Sequence, residues 1–201
     1  MPQEPASQFT TGLVMAAGGS SRLGRPKQLL PYGEGTLLGH VVDTARRCSF
    51  DQLLVAVGGS ADEVTAGADL NGVEVVVNEE YGTGCASSLR TGIQAADPRW
   101  TMLVLILGDQ PGVTPASVEA LLAGRGDAPL AVCRYDDARG HPLAVARELE
   151  SGLLALHGDK GVWKLMDRLG DQVAEVRVPG PVPVDVDTWD DYEAVLAAAA
   201  R

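Results

Sequence analysis

The chain has 201 residues, 45% of them hydrophobic, with 27 acidic against 16 basic side chains and a formal net charge of −11. That length and apolar content suit one α/β domain spanning 1–201, and the acidic balance argues against a nucleic-acid backbone or an anionic membrane surface as partner. Cys48, Cys85 and Cys133 are widely spaced with no C-x-x-C pair, which argues against a disulfide framework or zinc site and fits a reducing, cytoplasmic setting.

The opening MPQEPASQFTT has no basic region followed by an apolar stretch, so residues 1–10 are expected to form a flexible N-terminus rather than a signal peptide. GLVMAA (12–17) reads as a buried strand running into a glycine loop. TLLGHVVDTARR (36–47) has helical apolar spacing, and DQLLVAVG (51–58) is a second strand. SADEVTAGA (60–68) carries a Ser cap and an acid three residues on, the signature of a helix start. VEVVVN (73–78) is a third strand, ASSLRTGIQAA (86–96) a helix, and MLVLILGDQP (102–111) a fourth strand whose apolar run is far too short to span a bilayer. TPASVEALLAG (114–124) is a capped helix with Pro at its first position. PLAVCRYDD (129–137) and GHPLAVAREL (140–149) read as two strands, GDKGVWKLMDRLG (158–170) as a turn and short helix, AEVRVP (174–179) as the last strand, and TWDDYEAVLAAAAR (188–201) as the C-terminal helix. The alternation predicts a single-domain three-layer α/β/α sandwich on a mostly parallel, doubly wound (Rossmann-like) sheet, becoming mixed toward the C-terminus.

The loop after the first strand, AAGGSSRLGRPK (16–27), combines glycines with Arg22, Arg25 and Lys27, one of only three lysines in the chain beside Lys160 and Lys164. Strand, glycine loop and helix together suit phosphate binding, because backbone N–H groups approach an anion with no Cβ in the way. The Walker pattern fits Gly19 and Gly24 but then meets Arg25 and Pro26, and proline offers no hydroxyl for Mg²⁺. The dinucleotide fingerprint puts Ser21 at its middle glycine, and no ribose-binding acid closes the second strand. Asp109 falls just past the end of the most buried strand, where ligands of parallel sheets bind; beside phosphates a hard carboxylate suits Mg²⁺. In VDVDT, Asp185 and Asp187 are expected to alternate on a strand end and share one face, so that either can complete a metal site.

Six segments in order, AAGGSSRLGRPKQLLPYG, NEEYGTGCASSLRTGI, LGDQPG, GHPLAV, GDKG and DVDTWDDYE, resemble the MobA-like NTP transferase family. Within it, the AAG opening is similar to the molybdenum cofactor cytidylyltransferases. The resemblance implies that Ala16, Ala17, Gly18 and Gly19 line base and ribose, with Gly84, Ser87 and Ser88 near the base. It implies that Arg22 and Lys27 bind the triphosphate of CTP, and that Asp109 and Asp187 hold Mg²⁺, with Arg22, Lys27 and Asp109 as the catalytic set. His141, Pro142, Asp159 and Lys160 fall on the acceptor side, His141 as a packing or hydrogen-bonding residue rather than a general acid. The implied reaction joins CMP from CTP to the terminal phosphate of molybdopterin cofactor and releases pyrophosphate. A transient contact with a molybdenum hydroxylase or its maturation factor is implied as well.

The chain departs from the family's pattern at Trp163, where an arginine is common, and at Cys85, often methionine. Both lie on the acceptor side, which leaves another phosphomonoester as an alternative acceptor. Some proteins resembling this family, the nicotine blue oxidoreductases, instead reduce a pigment with NAD(P)H, and an aromatic Trp163 pocket is compatible with that chemistry. A catalytically silent protein that delivers cofactor is a third alternative.

Overall fold

The computed structural model describes residues 8–20 and 22–200. Its strands are β1 (Thr10–Ala16), β2 (Pro31–Tyr32), β3 (Gly35–Thr36), β4 (Gln52–Val57), β5 (Glu74–Val77), β6 (Met102–Leu107), β7 (Leu130–Arg134), β8 (Arg139–Ala146) and β9 (Val173–Arg177). The helices are α1 (Leu37–Arg46), α2 (Ala61–Gly67), α3 (Cys85–Ala95), α4 (Pro115–Gly124), α5 (Glu150–Leu154), α6 (Gly161–Leu169) and α7 (Trp189–Ala199). Seven strands form one sheet in the order β5-β4-β1-β6-β8-β7-β9, and β2 pairs with β3 in a separate small hairpin. Only β8 runs against the rest, pairing antiparallel with both β6 and β7. The expected mixed C-terminal part is this single reversed strand.

Alternation along β1 divides the core into two layers. Val14 and Ala16 face one side with Val41 and Val42 of α1, Val64 of α2 and Leu121 of α4. Leu13 and Met15 face the other, with Leu89 and Ile93 of α3, Leu153 of α5 and Leu165 of α6. The result is the three-layer sandwich expected from strands buried on both faces. A third cluster joins Leu23 and Leu30 of the opening loop to Leu37, Val186 and Val195, so α7 packs down beside the glycine loop.

Four local expectations change. The stretch 140–149 does not stay extended: β8 ends at Ala146, and a 3₁₀ turn leads into α5. There Arg147 stacks over the Trp100 ring at 5.4 Å and donates to the carbonyls of Pro98 and Trp100, which fixes the strand's end. Asp185 and Asp187 do not lie on a strand, because residues 178–188 form no ladder. Pro179, Pro181 and Pro183 carry no N–H and Gly180 has φ +97°, so the alternating valines cannot pair. The β2–β3 hairpin inside LLPYGEGT is an addition, with Gly33 at φ +58° in its turn. Of the expected N-terminal tail, 1–7 lie outside the described residues, while the Phe9 N–H donates to Thr101 Oγ1 at 3.0 Å and β1 begins at Thr10.

Candidate active site

The C-terminal ends of β1 and β6 open into a cleft of about 610 Å³ lined by Ala16, Ala17, Gly18, Gly19, Lys27 and Gln28 on one side. Tyr81 to Cys85, Ser88, Leu107 to Asp109, and Asp159 complete the lining. The parallel sheet explains the location, since strand ends and the loops after them converge on one edge.

The glycine loop is shaped from below by a side chain that sequence reasoning passed over. Gln28 is buried, and its Nε2 donates to the carbonyls of Ala16 at 2.6 Å and Gly18 at 3.0 Å. Its Oε1 accepts from the Ser20 hydroxyl at 3.4 Å, and Ser20 Oγ in turn accepts from the Lys27 N–H at 2.9 Å. Ser20 sits at φ +49°, a conformation that this network holds in place. Its only trace in the sequence is the KQLL that follows the loop.

Lys27 is 8% exposed, and its Nζ lies 2.5 Å from Asp109 Oδ2 and 2.7 Å from Asp187 Oδ1. Burial on its own would lower the Lys27 pKa, but the charge and hydrogen bond of Asp109, joined by Asp187, outweigh it and raise the value. Arg22 Nη2 reaches Asp187 Oδ2 at 3.0 Å and is well exposed. The hydrogen bond from Lys27, assisted by its charge and by Arg22, holds Asp187 below the usual carboxylate range. Asp185 turns the other way in pH: burial, together with the negative charges of Asp109 and Asp187, pushes its pKa up. It accepts from Gln110 Nε2 at 2.9 Å rather than from Lys27.

Two local devices bring Asp187 to this place from the far end of the chain. Val186 is fully buried beside Leu23 and Leu30, and its N–H donates to the Asp109 carbonyl at 3.1 Å. Just after Asp187, Thr188 caps α7 in a capping box with Asp191, whose Oδ2 also accepts from the Asp187 N–H at 3.2 Å. The segment therefore returns beside the end of β6 through one backbone bond and a helix cap rather than through a strand.

The middle motif divides its labour. Gly84 lines the cleft at φ +106°, and a Cβ there would come within 2.7 Å of the Gly158 carbonyl carbon. Ser88 lines the cleft, whereas Ser87 is buried behind it, donating to the Gly84 carbonyl and accepting from Asn78. Ser87 thus braces the turn and does not line the cleft. Tyr81 was not foreseen. It lies over Gly58 and Gly59, where a Cβ at either position would approach Tyr81 to 2.7 Å.

The residues that the resemblance gives to an acceptor separate. Asp159 lines the cleft and caps α3, its Oδ1 accepting from the Cys85 N–H at 3.0 Å. His141 borders a smaller cavity of about 120 Å³ with Met15, Cys85, Leu107, Asp159 and Trp163, its ring 6.0 Å from the Trp163 ring and edge-on to it. Burial pulls its pKa down to about 4. Pro142 is buried in β8 after a cis peptide bond, and Lys160 is exposed at the start of α6; neither lines the two cavities. Pro142 has its neighbours in the sheet, and Lys160 points into solvent.

Hard oxygen donors at Asp109 and Asp187, side by side on Lys27, fit a divalent cation that takes further oxygens from phosphates. Among the described residues, no group of three or more His, Cys, Asp and Glu side chains is arranged to hold a metal by itself. No helix among them is long and apolar enough to cross a membrane.

Comparison with known proteins gives the same frame. The model of the MobA-like NTP transferase domain matches residues 12–173. Nicotine blue oxidoreductase of Paenarthrobacter nicotinovorans is 32% identical over 160 residues, covering 75% of this chain and 78% of that protein. The crystal structure of a homolog of Mycobacterium tuberculosis Rv0371c, from Mycobacterium sp. strain JC1, is 49% identical with a TM-score of 0.89, covering 96% of this chain and 97% of that one. Rv0371c from Mycobacterium tuberculosis H37Rv in complex with manganese is 44% identical with a TM-score of 0.85, covering 95% and 100%. With the matched region running from β1 to the first residue of β9, the chain belongs to the MobA-like NTP transferase family.

Proposed function

We propose that the chain is a nucleotidyltransferase that joins CMP, from CTP, to the terminal phosphate of molybdopterin cofactor with release of pyrophosphate. The observation that carries this reading is the meeting of Asp109, Asp187 and Lys27 at one point beside the glycine loop. An acceptor phosphate oxygen attacks the α-phosphorus, and the bond from that phosphorus to the bridging oxygen breaks as pyrophosphate leaves. A phosphomonoester is already an anion near neutral pH, so no side chain has to remove a proton. The residues then have two tasks, holding two anions in line and neutralising their charge. The backbone from Ala16 to Gly19 serves the base and ribose, with Gly84 and Ser88 near the base, and Lys27 and Arg22 serve the triphosphate. Asp109 and Asp187 would hold Mg²⁺, which supplies Lewis-acid stabilisation of charge on the phosphoryl oxygens when bound. The manganese complex of the similar Rv0371c supports a divalent ion. His141 and Trp163 border the smaller cavity next to Cys85 and Asp159, on the side that the resemblance gives to the acceptor.

A second reading, hydride transfer from NAD(P)H to an aromatic pigment, is favoured by the likeness to nicotine blue oxidoreductase and by the same Trp163 cavity. One experiment separates the two: the protein is incubated with Mg²⁺, molybdopterin cofactor and each nucleoside triphosphate in turn, and pyrophosphate is measured. CTP-dependent pyrophosphate is expected, and release with a different acceptor phosphomonoester would keep the chemistry while changing the substrate. No pyrophosphate, together with NAD(P)H consumption, would overturn the transferase. Asp109→Ala should lower turnover by at least about a hundredfold with an unchanged circular dichroism spectrum; near-normal turnover would rule out the metal assignment.

A further inference from the structure

The proposed reaction asks Asp109 and Asp187 to hold a divalent ion, yet three of their four carboxylate oxygens already accept hydrogen bonds from cations. Lys27 Nζ takes Asp109 Oδ2 at 2.5 Å and Asp187 Oδ1 at 2.7 Å, and Arg22 Nη2 takes Asp187 Oδ2 at 3.0 Å. Lys27 is built into this position and does not reach it by chance from solvent. Its side chain is buried, its backbone N–H is fixed by Ser20, and it opens the 3₁₀ turn Lys27–Leu29. An ammonium at hydrogen-bond distance and a divalent ion at about 2.0–2.1 Å compete for the same oxygens and repel one another.

Resting on the reading above, we propose that Lys27, helped by Arg22, is a resident counter-cation that keeps the metal carboxylates neutralised until nucleotide arrives. In the ligand-free protein the ammonium lies where a divalent ion would draw the two carboxylates together. When metal and triphosphate enter together, the carboxylates exchange the ammonium for the metal, and the released ammonium finds a new anionic partner in the triphosphate. Metal alone gives Lys27 no such partner, so it must leave two carboxylates for nothing. Nucleotide and metal therefore strengthen each other's binding through one lysine. The arrangement also spares Asp109 and Asp187 an uncompensated state in the ligand-free protein.

The test measures metal affinity without turnover. Mn²⁺ is titrated calorimetrically into nucleotide-free protein, and Lys27→Met is expected to bind it roughly tenfold more tightly than wild type. Adding Asp109→Asn to Lys27→Met should remove that gain. Equal or weaker Mn²⁺ binding by Lys27→Met overturns the proposal. Because unmatched acids can impair folding, a second measurement uses the wild-type chain, whose three lysines give three side-chain ammonium signals by ¹⁵N NMR. The Lys27 signal, assigned by its loss in Lys27→Arg, should move when Mg²⁺ and α,β-methylene CTP are added together, but not with Mg²⁺ alone at the same concentration. A signal that stays fixed with both, or moves with Mg²⁺ alone, overturns it. Pyrophosphate release tests the reaction separately: a chain that makes none but gains Mn²⁺ affinity in Lys27→Met keeps its counter-cation and loses only the proposed chemistry.

Discussion

Gly84 shows how one missing Cβ can join two distant segments. It stands at the entry to α3 with φ +106°, and the backbone of Gly158 passes so close that any side chain would have to displace it. That approach lets Asp159 cap the α3 amides at Cys85 and lets the Gly158 carbonyl accept from Ala86 at 3.1 Å. Gly84→Ala should therefore cost more than the usual φ penalty of about 1 kcal/mol, with roughly 2 kcal/mol expected in all. For a chain of this size, that corresponds to a fall in Tm of roughly 4–8 °C. Gly72→Ala is the matched control, because Gly72 also has a positive φ, +72°, and a Cβ there meets nothing within 4 Å. A thermal melt in which both variants behave alike would remove the close approach as the reason for Gly84.

At the scale of elements, the C-terminal helix has a role beyond covering the core. α7 begins where Asp187 ends, and Thr188 with Asp191 fixes the backbone that carries the Asp187 carboxylate to Lys27. Thr188→Ala should lower stability by about 1 kcal/mol and also loosen Asp187, raising KM for the nucleotide. Thr114→Ala removes the equivalent cap from α4, so it should match the stability loss in a urea titration without the change in KM. Equal KM changes in the two variants would detach the helix cap from the site. The main strands and long helices were legible because apolar runs of strand length alternate with stretches of helical spacing, each bounded by Gly, Pro or a Ser/Thr cap. The two-residue strands of the β2–β3 hairpin and the five-residue α5 are too short to carry any period. The segment before α7 misled in a different way: VPVDVD has a strand's alternation, but prolines at every second position from Pro179 to Pro183 deny it a ladder. Lys27 and Asp109 could be singled out from residue type and position, whereas the residues alone left Asp185 and Asp187 equal and only the family resemblance favoured Asp187. Gln28, Ser87 and Tyr81 could not be given their places, because what they do depends on carbonyls and glycines that only the fold brings near them.

For the whole molecule, an excess of acids over bases makes the balance of charge in the core a question of pH. The buried imidazole of His141 sits on β8, the one reversed strand, and takes part in no ion pair among the described residues. The titratable groups around its cavity are Asp159, already engaged by the Cys85 amide, and Cys85, whose thiol burial and neighbouring acids push up. Burial lowers the folded His141 pKa from 6.5 to about 4. Between those values the unfolded chain binds a proton that the folded chain refuses, so stability declines as pH falls through this window. Integrated over the shift, the loss approaches about 3 kcal/mol. His40, also lowered chiefly by burial, acts in the same direction and remains in any His141 variant. Asp187 acts later: its folded pKa is depressed, so its contribution persists until pH drops below the ordinary carboxylate value of 3.8. Replacing His141 with Gln should therefore flatten the decline between about pH 6.5 and pH 4 while leaving the steeper loss at lower pH in place. Urea midpoints for both chains, taken near pH 7 and near pH 4.5, decide the matter; parallel declines would mean that the imidazole takes up its proton within the fold, with the cavity beside Trp163 open to water.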